Sequence, residues 1–280
     1  MHVCDFPQGR YGNAIFRYLA SSLFCILYDA ERTYDIHAHD AVITDTDFIE
    51  WSNQVLQNII PPFDNSKTYL FQGYYQHDHI YLQYRNQLIE YINAHPEDRL
   101  ITDGYKLGGT GIYHYPVTEY ISRDLVDCNT IRTYDIVIHL RLEDFVFVNQ
   151  VIHPKCISDI LYNIENISEN RICFVVASPN TPFEHKYIDY FAKRFNIICE
   201  SNTPITDYHI IKNAKILVCS RSTMCWAAAF FSNTLEKVYF PNYIATSHIH
   251  ETFTHPISNT IPYDVILSSE NEINYFLDNV

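Results

Sequence analysis

The second half of the chain alternates strand-length apolar runs with helical patterns, and this alternation constrains the fold more than any other feature. Strands are expected at 135–140, 171–177, 196–200, 215–219, 237–240 and 265–268. Helical patterns fall between several of them, near 154–166, 182–195, 207–213 and 223–232, with a last helix at 270–279. Strand, helix, strand at this spacing means βαβ units, and βαβ units mean a parallel sheet. The fold class is therefore α/β. Parallel sheets place ligands at the C-terminal ends of their strands, so those ends are where chemistry is to be sought.

The first half is less regular. A strand at 2–6 leads through a turn into a long apolar helix at 14–28, a second strand is expected at 69–73 and a helix at 77–93. Residues 103–116 are rich in Gly and Tyr and read as loop. A boundary near 127–133 divides an N-terminal α/β domain, 1–130, from a C-terminal one, 131–280.

Charge narrows the partners. The formal net charge is −14, which repels nucleic acid and anionic membrane, so neither is an expected partner. No apolar stretch approaches the roughly 18 residues of a membrane span, and no basic segment followed by an apolar core marks a signal peptide. The eight cysteines are scattered without a CxxC pair, which reads as free thiols in a reducing, cytoplasmic setting. Frequent Ile, Asn and Tyr with seven Gly suggest a bacterial or viral source. Tyr (23) and Phe (17) are abundant enough to supply sugar-stacking rings, although most such rings belong in a core.

Four segments hold the residue types for chemistry. Ser220-Arg-Ser-Thr-Met-Cys-Trp-Ala follows an apolar run and opens a helix. A diphosphate there would meet free N–H groups, the hydroxyls of Ser220, Ser222 and Thr223, and the positive end of the helix dipole; an ordinary capped helix has the same residues. Asp135-Ile-Val-Ile-His-Leu-Arg-Leu-Glu-Asp ends a strand in His139, Arg141, Glu143 and Asp144. Alternation places His139, Arg141 and Glu143 on one face if the strand runs that far. Arg141 is a good phosphate partner, and Glu143 or Asp144 could take a proton from a hydroxyl; a salt-bridged strand end reads the same way. Gln8-Gly-Arg-Tyr-Gly-Asn lets backbone approach a ligand but lacks the third Gly of a dinucleotide fingerprint. Phe71-Gln-Gly-Tyr-Tyr-Gln-His-Asp-His is rich in aromatic and amide groups suited to sugars, or to a packed strand end.

Taken in order, the four segments resemble the α-1,2-fucosyltransferase family. The resembling residues are Gly9, Gly12, Asn13, Phe16 and Tyr18; Gly73, Tyr74, Tyr75 and Gln76; His139, Arg141 and Asp144; and Ser222, Thr223, Trp226 and Ala228. The resemblance spans nearly the whole chain. It implies a GT-B fold of two facing Rossmann-like domains with mostly parallel sheets, and an inverting, metal-independent transfer with no cofactor. The N-terminal domain would serve the acceptor and the C-terminal domain the nucleotide sugar. Arg141 would hold the β-phosphate and Ser222 and Thr223 the diphosphate, with His139, Ser220 and Arg221 beside them. Gly12 and Asn13 would line the donor cleft. Tyr74, Tyr75 and Gln76 would contact the acceptor, and Asp144 or Glu143 would be the base.

The chain departs from the family pattern in three places. Leu142 stands where the second Arg of the hallmark is expected, Glu143 where a Gly is, and Ala177-Ser-Pro-Asn where an acidic segment is. Arg221 is a candidate replacement for the missing charge. The expected donor is GDP-fucose, with a UDP-sugar such as UDP-xylose as the alternative, and the expected acceptor is a glycan hydroxyl. A non-catalytic glycan-binding protein is a second alternative. A third is a metal-dependent transferase using Asp45-Thr-Asp47; this motif lacks the preceding nucleotide-binding core and is discounted. The pairs His37/His39, His77/His79 and His248/His250 are read as surface histidines, since zinc needs three or four convergent ligands.

Overall fold

A computed structural model describes residues 1–102, 105–108, 111–114, 117–127, 132–147, 149–176, 181–220, 222–242 and 258–280, without the side chains of 105–108, 111–114, 143 and 144. Two compact units emerge. The first contains Met1–Lys106 and His114–Asp127; the second contains Leu107–Tyr113 and the described chain from 132 onward.

The first unit is built on a four-stranded parallel sheet, β1 (His2–Asp5), β2 (Glu31–Arg32), β3 (Ala41–Ile43) and β4 (Thr68–Phe71), in the order β2-β1-β4-β3. Its main helix, α1 (Tyr11–Tyr28), is buried along most of its length and packs on β1 and β4. Helix α2 (Asp45–Leu56) starts at a reciprocal box in which Thr44 and Asp47 cap each other's backbone N–H. The Phe24 ring centres an aromatic cluster, with centroids 4.5 Å from Trp51, 4.9 Å from Phe71 and 5.0 Å from Phe63. Such pairs each add about 0.5–1.5 kcal/mol beyond area burial.

The expected helix at 77–93 is two helices, α3 (Asp78–Gln83) and α4 (Arg85–Ala94), broken at Tyr84. An antiparallel pair, β5 (Arg99–Ile101) with β8 (Glu119–Ile121), leads to the one-turn α5 (Arg123–Val126). The expected loop at 103–116 contains two paired strands, β6 (Tyr105–Gly108) and β7 (Gly111–His114), because backbone pairing does not require apolar alternation.

An ion-pair network ties α1 to the strands of this unit. The Arg32 guanidinium, with its side chain 4% exposed, donates to Asp5 at 2.7 Å and Asp98 at 3.2 Å, and also to the Ser21 and Ser22 hydroxyls. The Tyr18 and Tyr34 hydroxyls complete the shell of Asp98.

The second unit holds a six-stranded, all-parallel sheet. Its strands are β9 (Ile136–Leu140), β11 (Ile172–Val176), β12 (Ile197–Glu200), β13 (Ile216–Val218), β14 (Lys237–Asn242) and β15 (Thr260–Asp264), in the order β12-β11-β9-β13-β14-β15. This is the 3-2-1-4-5-6 order of Rossmann sheets. The chain is α/β with mostly parallel sheets. The expected strand at 265–268 is instead β16 (Leu267–Ser268), paired antiparallel with β10 (Val151–Ile152), and the sixth strand of the main sheet is β15. Pro262 and the polar ends of β15 hide it from a pattern search, yet Pro is tolerated on an edge strand.

Helices α7 (Pro154–Tyr162), α8 (Pro182–Ala192) and α11 (Glu270–Asp278) share one apolar cluster with Ile136, Ile138 and Leu140 of β9. Helices α9 (Pro204–Lys212) and α10 (Thr223–Phe231) pack on each other, and α9 also contacts β9 and β11. The starts of α8 and α9 are written in sequence as Thr-Pro, which supplies a hydroxyl cap and a pre-set first turn.

Glu200 ends β12 with a carboxylate held by the hydroxyl of Tyr134, by Arg132 at 2.7 Å and by Asn202 at 3.2 Å. The Tyr134 hydrogen bond, ahead of the Arg132 and Asn202 contacts, outweighs burial and holds its pKa below the usual 4.5.

Two outcomes are expected from urea denaturation. Arg32→Met should destabilise the protein by about 3–5 kcal/mol, since it strands two largely buried carboxylates. A depressed carboxylate contributes stability that is present above its unfolded pKa and is lost as pH falls through the folded pKa. Tyr134→Phe should therefore cost stability near pH 7, and its deficit against wild type should shrink as the pH drops below 4.5.

Candidate functional site

In the second unit the chain runs from β9 outward to β11 and β12, then returns to the other side of β9 as β13. Connections leave β9 and β13 in opposite directions, which opens a crevice at their C-terminal ends. His139, Arg141, Ser220 and Ser222 all lie there.

His139 is the fourth residue of β9 and 6% exposed. Its Nδ1 shares a 3.4 Å hydrogen bond with the Ser220 hydroxyl just beyond β13. This contact joins two of the expected donor-site residues across neighbouring strands. Strand β9 stops at Leu140, so the expected shared face of His139, Arg141 and Glu143 does not form. Glu143 instead opens the short helix α6 (Glu143–Phe147), because the backbone turns at Arg141 and Leu142. The Arg141 guanidinium lies 4.8 Å from the Phe145 ring centroid, at cation–π distance. Leu142 is 2% exposed and belongs to the apolar cluster under β9. The backbones of Glu143 and Asp144 lie in α6; their side chains, together with Arg221 and residues 177–180, are outside the described residues.

Helix α10 begins at the end of β13. Ser222 is its N-cap, but the Ser222 side chain makes no cap hydrogen bond. Helices α7, α8, α9 and α11 of the same unit all have side-chain caps. The 4%-exposed Ser222 hydroxyl and the first-turn N–H groups are thus not spent on each other, and the helix dipole adds partial positive charge. Thr223 is the first helical residue. The arrangement suits an anionic group presented to backbone N–H donors.

The first unit has its own switch point, between β1 and β4. Phe6 N–H bonds to the Phe71 carbonyl at 2.9 Å, and Arg17, 1% exposed, donates to the carbonyls of Gln8 at 2.8 Å and Ile101 at 3.1 Å. Gly9 has φ +75°, and an added Cβ would lie 2.7 Å from Asn13 Nδ2. Glycine is therefore required for Asn13 to fold back over the turn. Asn13 Oδ1 accepts from Gln76 Nε2 at 3.3 Å. Gln76 was expected on the acceptor side and Asn13 on the donor side; the structure joins them. Gly12 is buried in the first turn of α1, whose N-cap, Arg10, makes no side-chain cap bond.

Tyr75 corrects the expectation of an acceptor-facing ring. It is 1% exposed, its hydroxyl donates to the Ile43 carbonyl, and its ring packs on Phe48 and Phe71, so no ring face remains for a sugar. Tyr74 is 38% exposed. Tyr75 also sits at φ 50°, a strained conformation for a large side chain. Asp45 holds it there by accepting the N–H of Tyr74 at 2.9 Å and of Tyr75 at 2.6 Å. Gly73 belongs to the same arrangement, because a Cβ there would lie 2.8 Å from the Asp45 carboxylate. Asp45 and Asp47, which mimic a metal motif in sequence, are thus a turn clamp and a helix cap. Of the histidine pairs, His77 and His79 have ring centroids 6.2 Å apart, His39 bonds the Ile36 carbonyl, and residues 248–250 are outside the described residues.

Sequence reasoning missed Cys225. Burial pushes this thiol up, but its neighbours Cys219 and His139 and the Ser220 backbone outweigh burial and hold it below the ordinary thiol value. Its position in the first turn of a helix that follows a strand ending in another cysteine was the available signal.

No family model matches the chain, and no curated protein matches it. A solved structure to which it is similar is E. coli heptosyltransferase WaaC with ADP-2-deoxy-2-fluoro heptose, at a TM-score of 0.46 and 10% identity, covering 100% of this chain and 99% of that one. Among the described residues no helix is long and apolar enough to cross a membrane.

Replacing Asp45 by Ala removes the acceptor for two backbone donors beside a strained residue. Urea denaturation should show a loss of about 1–3 kcal/mol.

Proposed function

We propose that this protein is a glycosyltransferase of GT-B type that takes its sugar from a nucleotide diphosphate. The observation that carries the reading is the placement of His139, Arg141, Ser220 and the start of α10, whose N-cap Ser222 makes no side-chain cap bond, at the switch point of a Rossmann-ordered sheet. A pure glycan-binding protein has no need of an anion site there.

In this reading the second unit binds the donor, and the first, through Tyr74 and Gln76, serves the acceptor. The acceptor hydroxyl attacks the anomeric carbon as the nucleotide diphosphate leaves, which inverts the configuration. Asp144 or Glu143 takes the hydroxyl proton. Charge growing on the leaving diphosphate is met by Arg141, by the Ser222 and Thr223 hydroxyls and by the first-turn N–H groups of α10, a task that other transferases give to a metal ion.

GDP-fucose is the donor that the resemblance to the α-1,2-fucosyltransferases favours. The burial of Leu142 favours a second reading, a UDP-sugar such as UDP-xylose, because the second cation of the fucosyltransferase hallmark has no place in this packing.

The test is thermal stability with GDP, UDP, ADP, GDP-fucose and UDP-xylose, each with and without EDTA. A ligand at 100 times its dissociation constant should stabilise the fold by about 2.7 kcal/mol. Stabilisation by guanine nucleotides supports the fucosyl donor, and stabilisation by uridine nucleotides supports the UDP-sugar. No shift with any of them overturns the transferase reading. With the donor in hand, Arg141→Ala should lower turnover by roughly 100- to 1,000-fold, the usual effect of removing one charge-stabilising donor.

A further inference from the structure

Strand β14 lies between β13 and β15, yet it contains Pro241, a residue that sheets normally confine to their edges. The register shows which bond the proline removes. Lys237 N–H donates to the Lys215 carbonyl at 3.2 Å, and Cys219 N–H donates to the Tyr239 carbonyl at 2.9 Å. Val218 is paired with Tyr239, so Cys219 falls opposite Phe240, and its carbonyl should accept from the backbone nitrogen of residue 241. Pro241 has no hydrogen there. The next strand supplies the donor instead. Tyr263 of β15, paired in register with Pro241, donates its hydroxyl to the Cys219 carbonyl.

The consequence falls on the turn assigned to the diphosphate. The Cys219 carbonyl and the Ser220 N–H are the two ends of one planar peptide unit. Holding the carbonyl on the β14 side of β13 turns the Ser220 N–H to the β9 side. The Ser220 hydroxyl lies 3.4 Å from His139 Nδ1, and the Ser220 carbonyl accepts the Ser222 N–H at 2.9 Å. The peptide that Tyr263 holds is thus the first of the turn that leads from β13 into α10.

We propose that Tyr263 is a positioning residue of the donor site: its hydroxyl takes the place of the N–H that Pro241 lacks and holds the Cys219–Ser220 peptide in the orientation that a nucleotide diphosphate requires. The inference rests on the assignment of that turn to the donor. Tyr263 acts through the peptide it holds, not on the sugar or the phosphates.

Three features suit the tyrosine to this task. Its ring packs against the apolar cluster of the second unit, which fixes the direction of the hydroxyl. Burial pushes the phenol well above its ordinary value, so it keeps the proton that it donates. Its reach also matters. Proline at 241 ends the β13–β14 ladder at the crevice, and the long side chain satisfies a carbonyl that the backbone of β14 no longer can.

The experiment titrates GDP, UDP and ADP into the purified full chain by isothermal calorimetry, with urea denaturation in parallel. Tyr263→Phe keeps the ring and removes only the hydroxyl. It should bind the nucleotide that the wild type binds about 10-fold more weakly, the order of effect of leaving a buried acceptor unmatched. The matched control is Tyr187→Phe, which removes a hydroxyl donated to the Ile152 carbonyl at 2.7 Å within the same apolar cluster. It should lose stability in urea but keep the wild-type affinity. The double variant Pro241→Ala/Tyr263→Phe returns an N–H to position 241 and should recover most of the affinity lost in Tyr263→Phe. Wild-type affinity in Tyr263→Phe, an equal loss in Tyr187→Phe, or no recovery in the double variant overturns the proposal. If the wild type binds none of the nucleotides, the donor-site reading itself falls and takes this assignment with it. That outcome is distinct from a wild type that binds and a Tyr263→Phe variant that binds equally well.

Discussion

Strand β9 is the element on which the second unit depends. Each of its residues from Ile136 to Leu140 is buried, and it is hydrogen-bonded to β11 on one side and β13 on the other. A strand in that position cannot satisfy its backbone groups from water, so both neighbours must be present. The chain supplies them in opposite directions, first β11 and later β13. That reversal creates a crevice in a sheet otherwise closed by helices. The alternation of β9 then sorts its side chains: Ile136, Ile138 and Leu140 enter the apolar cluster, while His139 meets Ser220. One strand therefore fixes both the core and the polar site.

The polar groups at the strand ends are held by the same logic of satisfied burial. A buried hydroxyl, imidazole or thiol is costly unless paired. His139 and Ser220 pair with each other at the turn before α10, where Ser222 supplies no side-chain cap. In the first unit Arg17 holds the Gln8 carbonyl, Gln76 holds Asn13, and Asp45 holds the strained Tyr75. Each switch point is thus a rigid, hydrogen-bonded turn, which keeps candidate binding groups aimed before a ligand arrives.

Much of the second unit was legible. The apolar runs that became β9, β11, β12, β13 and β14 are short, β-branched and flanked by helix signals, so periodicity and punctuation agree. Several elements that escaped detection have a weak local pattern, although helix α2 escaped despite its capping box. Strands β2 and β3 span two and three residues and exist only because β1 and β4 offer them backbone partners. Strand β15 carries a proline and mixed polarity, which its edge position tolerates. Strand β9 ends at Leu140, where its apolar run ends; alternation continues through Arg141 and Glu143 in sequence, but the packing of Leu142 into the core turns the chain into α6.

The sequence by itself determined the α/β class, the parallel character of the second sheet and the positions of the strand ends where His139, Arg141 and Ser220 lie. These follow from periodicities and side-chain capacities that act over a few residues. Only the tertiary structure decided the strand order, the meeting of His139 with Ser220 and of Asn13 with Gln76, and the burial of Tyr75. Such contacts depend on which distant segments share a face, and no local pattern encodes that. They arise when the whole sheet must bury its apolar surface and satisfy its hydrogen bonds at once.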